Sequence, residues 1–205
     1  MPLQLTREDF MTADQVRRLK TTCRQAAAAA RRRGERGPVR DWAILHIALD
    51  AGLRVSEITA LRVGDLLLDP GEAAIVVRRG KGGKKRGVDI GRPLRDHLVE
   101  YLRWKETAGE PAGPEALLFL SPRGGALTRQ AVYHMFKRYA RQAGLPQRFT
   151  IHSCRHTYAS MLYRASRYNL RLVQKQLGHA SIRTTQVYAD VLSEDRWEAV
   201  NGLPQ

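Results

Sequence analysis

Cysteine is scarce in this chain. Its 205 residues hold two, Cys23 and Cys154, too few for a disulfide framework or a four-thiolate metal site, so a reducing, cytoplasmic compartment is expected. Long apolar runs are missing as well. The most hydrophobic stretch, Trp42 to Leu53, is broken by His46 and Asp50 and falls short of the ~20 residues that a membrane-spanning helix needs. The opening MPLQLTREDF carries acids and no apolar segment, so no secretory signal is expected. Neither a lipidation motif nor an internal repeat or low-complexity tract is present. Clustered carboxylates at metal-binding spacing are also lacking, which argues against a metal-dependent nuclease, and neither a metal nor a cofactor is expected.

Acidic residues are the minority. Lys and Arg number 35 against 20 Asp and Glu, a formal net charge of +15, which points to a polyanionic partner and, in the absence of a lipid anchor, to nucleic acid rather than a membrane. Arginine supplies 28 of those cations and lysine 7, and the guanidinium suits a planar, two-bond grip on phosphate. With 43% hydrophobic residues the chain has the material for a core and is not disordered as a whole.

The hydrophobic spacing predicts a mainly α fold with a small antiparallel β-sheet, of the α+β class. Thr12 and Gln15 form a capping-box start to a helix over 12–33. The basic, glycine-containing segment Arg31 to Arg40 reads as a loop, with Pro38 in the first turn of a second helix, 39–50, that ends at Gly52. Residues 56–61 make a helical turn. Strands are expected over 65–68, 74–79 and 87–90, the first two joined at Asp69-Pro70-Gly71. Pro93 opens a helix to about Thr107 with Leu94, Leu98, Tyr101 and Leu102 on one face, and Leu117 to Leu120 is a short apolar segment. Further helices fit 128–143, 151–165, 170–177 and 182–188, followed by an amphipathic piece with Leu192, Trp197 and Val200.

Three segments carry groups suited to chemistry. From Arg78 to Arg86 there are six cations in nine residues and no acid, at a predicted hairpin tip where glycines allow close approach to a phosphodiester; a solvated tip is the plainer alternative. The spacing fits neither a P-loop nor a GxGxxG fingerprint. In His152-Ser153-Cys154-Arg155-His156, positions i and i+3 of a helix share a face, so His152 and Arg155 converge on one anion. His156 is expected to point elsewhere into the core, and Cys154 to act as a small hydrophobe. In LGHAS, Gly178 can end one helix and Ser181 cap the next, leaving His179 between them; Tyr188 stands one helix further on.

Taken in order, AGLRVSEI, GKGGKKR, HSCRHTYAS, LGHASIRTT and QVYAD resemble the motifs of the tyrosine recombinase (phage integrase) family over about Phe10 to Val191. The resemblance implies that Arg54 is the first catalytic arginine, Lys81 the hairpin lysine (with Lys84 and Lys85 on the same tip), and His152 and Arg155 the HxxR pair. It likewise makes His179 the residue at the family's His-or-Trp position and Tyr188 the nucleophile. It implies a site-specific DNA recombinase that cuts and rejoins DNA through a 3′-phosphotyrosyl link without metal or ATP. Arg54 and Arg155 would hold the phosphate oxygens, His152 would accept the phenol proton, Lys81 would protonate the leaving 5′-oxygen, and His179 would orient the phosphate. Glu57 would buttress an arginine or cap a turn.

The division expected is a short segment 1–9, a catalytic domain 10–191 and a tail 192–205, without the helical core-binding domain most members carry. The tail would contact a neighbouring protomer or fold back on its own. Double-stranded DNA, self-association as a tetramer on DNA and an accessory DNA-bending or partner protein are the partners implied. Two other readings use the same residues: a relaxing enzyme like the type IB topoisomerases, and a DNA-binding regulator that leaves the fold's chemistry unused. The helix 128–143, with Arg129, His134, Lys137, Arg138 and Arg141, is the candidate for reading bases.

Overall fold

A computed structural model describes residues 5–78, 85–179, 185–187 and 201. Its first helix, α1 (Ala13–Arg33), starts as expected: Thr12 Oγ1 accepts from the Gln15 amide at 3.2 Å and Gln15 Oε1 from the Thr12 amide at 2.8 Å. Val16, Leu19, Cys23, Ala27 and Ala30 recur at helical spacing and are all buried. They face α2 (Arg36–Asp50), which is buried almost throughout and packs against α1, α4 and α6. Leu19, Ile44 and Ile47 have no exposed surface to speak of, and each such side chain stabilises the fold by about 1.5–3 kcal/mol.

The basic segment Arg31 to Arg40 is not the loop expected. Helix α1 runs to Arg33, Gly34 takes the left-handed conformation (φ 70°), and α2 begins at Arg36. The reason is local: the Gly34 amide donates to the Ala30 and Arg31 carbonyls and the Glu35 amide to Ala30, so the helix end is satisfied in two residues. Arg31, Arg32 and Arg33 then lie at the negative end of the helix dipole.

After the short helix α3 (Val55–Thr59), the sheet is three-stranded and antiparallel in the order β1 (Leu66–Leu67), β2 (Ala74–Val77), β3 (Arg86–Asp89). Each strand is shorter than or displaced from its expected span, and β3 starts one residue early, at Arg86. In register, Val77 pairs with Arg86 and Ile75 with Val88. β3 is one of the sheet's two outer strands, and its edge is met by a side chain: Gln176 Oε1 accepts from the Asp89 amide at 3.1 Å while Gln176 Nε2 donates to the Asp89 carbonyl at 3.4 Å.

Four more helices complete the described fold: α4 (Arg92–Thr107), α5 (Arg129–Gln142), α6 (Ile151–Ala165) and α7 (Leu170–Leu177). Pro93 sits in the first turn of α4, and Leu94, Leu98 and Tyr101 are buried as the periodicity indicates. Thr128, Thr150 and Asn169 cap α5, α6 and α7 with side-chain oxygens. The main core is built on α2, and a smaller cluster of Ala159, Val173 and Leu177 joins α6 to α7. Among the described residues no helix is long and apolar enough to cross a membrane. Lys81, Tyr188, the expected cap Ser181 and the tail residues Leu192, Trp197 and Val200 lie outside the described residues.

Candidate active site

The first site residue is placed by a turn. Gly52 is left-handed (φ +61°), and a Cβ there would collide with the ring of Tyr158. This bend leads into Arg54, the N-cap of α3. Three residues on, Glu57 accepts from the Arg54 amide through Oε2 and from Arg54 Nη1 through Oε1, both at 2.9 Å. Glu57 therefore does both things its spacing implies, buttressing the arginine and closing the helix start.

Glu57 has a second cation. Arg86 Nη1 and Nη2 donate to Glu57 Oε1 and Oε2 at 2.9 and 3.0 Å, a bidentate pair. The glutamate is 8% exposed. Burial alone would push its carboxyl up, but the hydrogen bonds from Arg86 and the Arg54 amide, with the charge of both guanidiniums, hold it below the ordinary carboxylate value.

Arg155, on α6, is 3% exposed. Its Nη1 donates to the Gly52 carbonyl at 2.6 Å and its Nη2 to the Leu177 carbonyl at 2.8 Å. It thus ties the Gly52 bend to the C-terminal end of α7, where carbonyls lack helical partners and a cation is favoured. His152, one turn earlier on α6, stands in the first turn of that helix. Desolvation and then the charges of Arg155 and Arg54 hold its imidazole below the usual histidine value. The neutral, proton-accepting form is favoured.

His156 is buried in agreement with the sequence, but its orientation differs: its ring meets that of His152 edge-on, centroids 4.5 Å apart, because i and i+4 share a helix face. Burial, then His152 and Arg155, lower it to about 4. Cys154 is fully buried and its thiol pushed up by desolvation, so it is a core residue.

Gly178 ends α7 in the left-handed conformation (φ 64°), as expected, and leaves His179 beyond the helix. His179 Nδ1 lies 2.9 Å from Thr185 Oγ1. Burial lowers the His179 imidazole to about 3, helped by the charges of Arg155, Arg54 and Arg86. Arg54, His152, Arg155 and His179 thus share one electropositive locale, and no cluster of three or more metal-ligating side chains occurs among the described residues.

Arg86 is the residue the sequence reading missed, having been counted only as the last cation of a basic tip. Its signal was the strand period: Arg86 and Val88 occupy the same face of β3, and Val88 is fully buried. A charged residue at an inward strand position requires a partner. Arg138, by contrast, was placed on a base-reading face but donates to the buried Asp41 at 2.7 Å.

Fold and site together define a catalytic domain of the tyrosine recombinase type. The chain belongs to the phage integrase family, whose model matches residues 9–195. It is 40% identical over 156 residues to the tyrosine recombinase XerD of Ralstonia nicotianae, covering 76% of this chain and 50% of that protein. It is 41% identical over 151 residues to XerC of Chromohalobacter salexigens, covering 73% and 48%. The chain thus spans about half the length of the curated relatives it matches. Among solved structures it is similar to the XerH site-specific recombinase bound to a palindromic difH substrate (TM-score 0.76, 27% identity, covering 94% of this chain and 52% of that one). It is also similar to the XerA recombinase (TM-score 0.76, 26% identity, 96% and 66%).

Proposed function

We propose that this chain is the catalytic part of a site-specific DNA recombinase that cuts and rejoins double-stranded DNA through a 3′-phosphotyrosyl intermediate. The observation that carries the reading is the convergence of Arg54 at the start of α3, neutral His152 and Arg155 on α6, and neutral His179 just beyond α7 on one locale. Two guanidiniums offer charge-assisted hydrogen bonds to the non-bridging oxygens of a phosphodiester, where negative charge grows in the pentacoordinate transition state. Relatives and structural neighbours that are tyrosine recombinases, one solved on its DNA substrate, support the same reading.

The chemistry is an exchange of phosphoesters. The Tyr188 hydroxyl gives its proton to His152, and the oxygen bonds to phosphorus as the bond from phosphorus to the 5′-oxygen breaks. The leaving 5′-oxygen takes a proton from Lys81. His179 hydrogen-bonds the phosphate and orients it. In the second half a 5′-hydroxyl from the partner strand attacks the phosphotyrosyl phosphorus and gives up its proton to Lys81, while the bond from phosphorus to the tyrosine oxygen breaks and that oxygen takes back the proton held by His152. One ester replaces another at each step, so the reaction is balanced without nucleotide hydrolysis.

Residues 10–191 form the catalytic unit in this reading, with 1–9 and 192–205 flanking it. The protein acts as a multimer on DNA, Leu192, Trp197 and Val200 meet a neighbouring protomer, and an accessory protein or DNA-bending factor helps select the site.

The test is incubation of wild type and Tyr188→Phe, in EDTA, with a nicked suicide substrate carrying the DNA that flanks the gene. A protein band that is shifted under denaturing conditions, collapses on nuclease treatment and is absent in Tyr188→Phe supports the mechanism. DNA bound tightly with no adduct, on linear or supercoiled substrate, overturns it in favour of a binding protein.

A further inference from the structure

Two guanidiniums share Glu57, and they are not placed alike. Glu57 Oε1 accepts from Arg54 Nη1 and Arg86 Nη1, and Oε2 accepts from the Arg54 amide and Arg86 Nη2. The Arg86 side chain is 15% exposed and has both terminal nitrogens on the carboxylate. Arg54 is 30% exposed, and its Nε and Nη2 make no bond among the described residues. Arg54 therefore has donors left for a ligand, whereas the one unused nitrogen of Arg86, Nε, is buried. The Arg86 side chain also lies against Gly178, where an added Cβ would be 2.5 Å from Nε and 2.6 Å from Cδ. Only a bare backbone in the left-handed region allows so close an approach. Gly178 directly precedes His179, so the side chain that backs Glu57 also supports the turn carrying the histidine.

We propose that Arg86 is a positioning residue for the grip on the phosphate: by sharing Glu57 it keeps the spare donors of Arg54 for the phosphate oxygens, and by packing under Gly178 it seats His179 against the same group. The inference rests on the recombinase reading above. Its physical reason lies in the buried carboxylate, since a charge removed from water must be paired. With Arg86 in place, Glu57 has two cations and takes a single side-chain bond from Arg54. With Arg86 removed, Arg54 is the guanidinium left to it, and a second bond between them pairs the carboxylate at the expense of the phosphate. What suffers is the offset of negative charge on the non-bridging oxygens. A substrate without that charge escapes the loss.

The experiment follows single-turnover cutting of a nicked suicide substrate by wild type, Arg86→Met and Arg86→Lys, with thermal melts run on each. One substrate has the ordinary phosphodiester at the scissile position. Two others carry a methylphosphonate there, one for each stereoisomer, in which a methyl group replaces a non-bridging oxygen and the charge is gone. In every case the tyrosine oxygen bonds to phosphorus as the bond to the 5′-oxygen breaks, so the substrates differ in the charge that the arginine must offset. Arg86→Met is expected to cut the phosphodiester about 100-fold more slowly than wild type, the loss that a catalytic group misplaced by about 1 Å brings. On the methylphosphonate whose methyl stands where Arg54 grips, it stays within about 3-fold of wild type, because a neutral group needs no cation there. Arg86→Lys falls between on the phosphodiester, because an ammonium keeps the charge but cannot make the two-bond grip. The ratio between substrates is taken on one protein sample, so a partly unfolded variant does not mimic the pattern, and should Arg86→Met fail to fold, Arg86→Lys carries the comparison. Losses of one size on the phosphodiester and both methylphosphonates, or none on any, overturn the proposal while leaving the recombinase reading intact. A wild type that cuts none of the substrates overturns both.

Discussion

At His152 two effects act in the same direction. Partial removal from water and the nearby charges of Arg155 and Arg54 both disfavour the imidazolium, so the residue is a base at neutral pH without needing a carboxylate to orient it. The expected outcome is that the acid limb of the cleavage rate falls below pH 6.5, the ordinary histidine value, when single-turnover rates are followed from pH 5 to 8. A limb centred at or above that value would mean that His152 is not the proton acceptor. His97 makes a parallel point about stability. Its Nδ1 lies 2.9 Å from His46 Nδ1, its ring stacks on Trp42, and its Nε2 is buried with no hydrogen-bond partner among the described residues. Burial, then His46 and Arg31, lower it to about 3. Between pH 6.5 and that value the unfolded chain binds a proton that the folded one refuses, so stability is full above pH 6.5 and is lost as the pH falls. At pH 5 the loss from this residue is about 2 kcal/mol. In thermal melts His97→Phe, which keeps a ring against Trp42, is expected to lose less stability than wild type between pH 7 and 5, although it starts lower at pH 7 for want of the bond to His46.

Elements in this fold are stopped and started by residues that act within one turn, which is why so many of their bounds can be read from sequence. Thr12 with Gln15, Pro93, Thr128 and Gly178 each do where they stand what their chemistry indicates. Thr12→Ala removes the acceptor for the Gln15 amide and is expected to cost about 1 kcal/mol in urea unfolding; no change would mean that Gln15 alone, through the Thr12 amide, suffices. What sequence does not reveal depends on partners far along the chain. Arg86 finds Glu57 29 residues away, Arg138 finds Asp41 97 residues away, and Arg155 finds the Gly52 carbonyl at a separation of 103. Arg155 was marked by its motif, while its role as a bolt between the Gly52 bend and the end of α7 required the fold. The same holds for the candidate site as a whole. Arg54, His152, Arg155 and His179 were legible because their motifs mark them, and the fold then brings them to one locale from the start of α3, from α6 and from just beyond α7. Arg86 was hidden in a basic run, where composition suggests solvent and only the strand register shows that it faces inward.

For the whole molecule the governing quantity is the surplus of cations. Several arginines are paired internally, Arg54 and Arg86 sharing Glu57, Arg40 and Arg138 sharing Asp41, and Arg78 meeting Asp65. Internal pairing cannot remove a formal net charge of +15, so the rest of the surface is strongly positive, with Arg17, Arg24 and Arg31 exposed along α1 and Arg129 and Arg141 exposed on α5. A surface of that sign binds a duplex by displacing condensed counterions, and each phosphate neutralised adds nearly one unit to the slope of log affinity against log salt. Binding by Tyr188→Phe, which in the proposed mechanism holds DNA without cutting it, is therefore expected to weaken about 100-fold or more between 50 and 200 mM salt, the range given by four or more phosphate contacts. Fluorescence anisotropy with a labelled duplex measures it directly. The decisive feature is how the slope compares between the DNA flanking the gene and an unrelated duplex. Phosphate contacts alone give the same slope and the same affinity on both, whereas base reading from α5 raises affinity for the flanking DNA with little change in slope. A flat salt response on both duplexes would show that the positive surface does not grip phosphate, and that the cations of α1 and α5 serve something other than DNA.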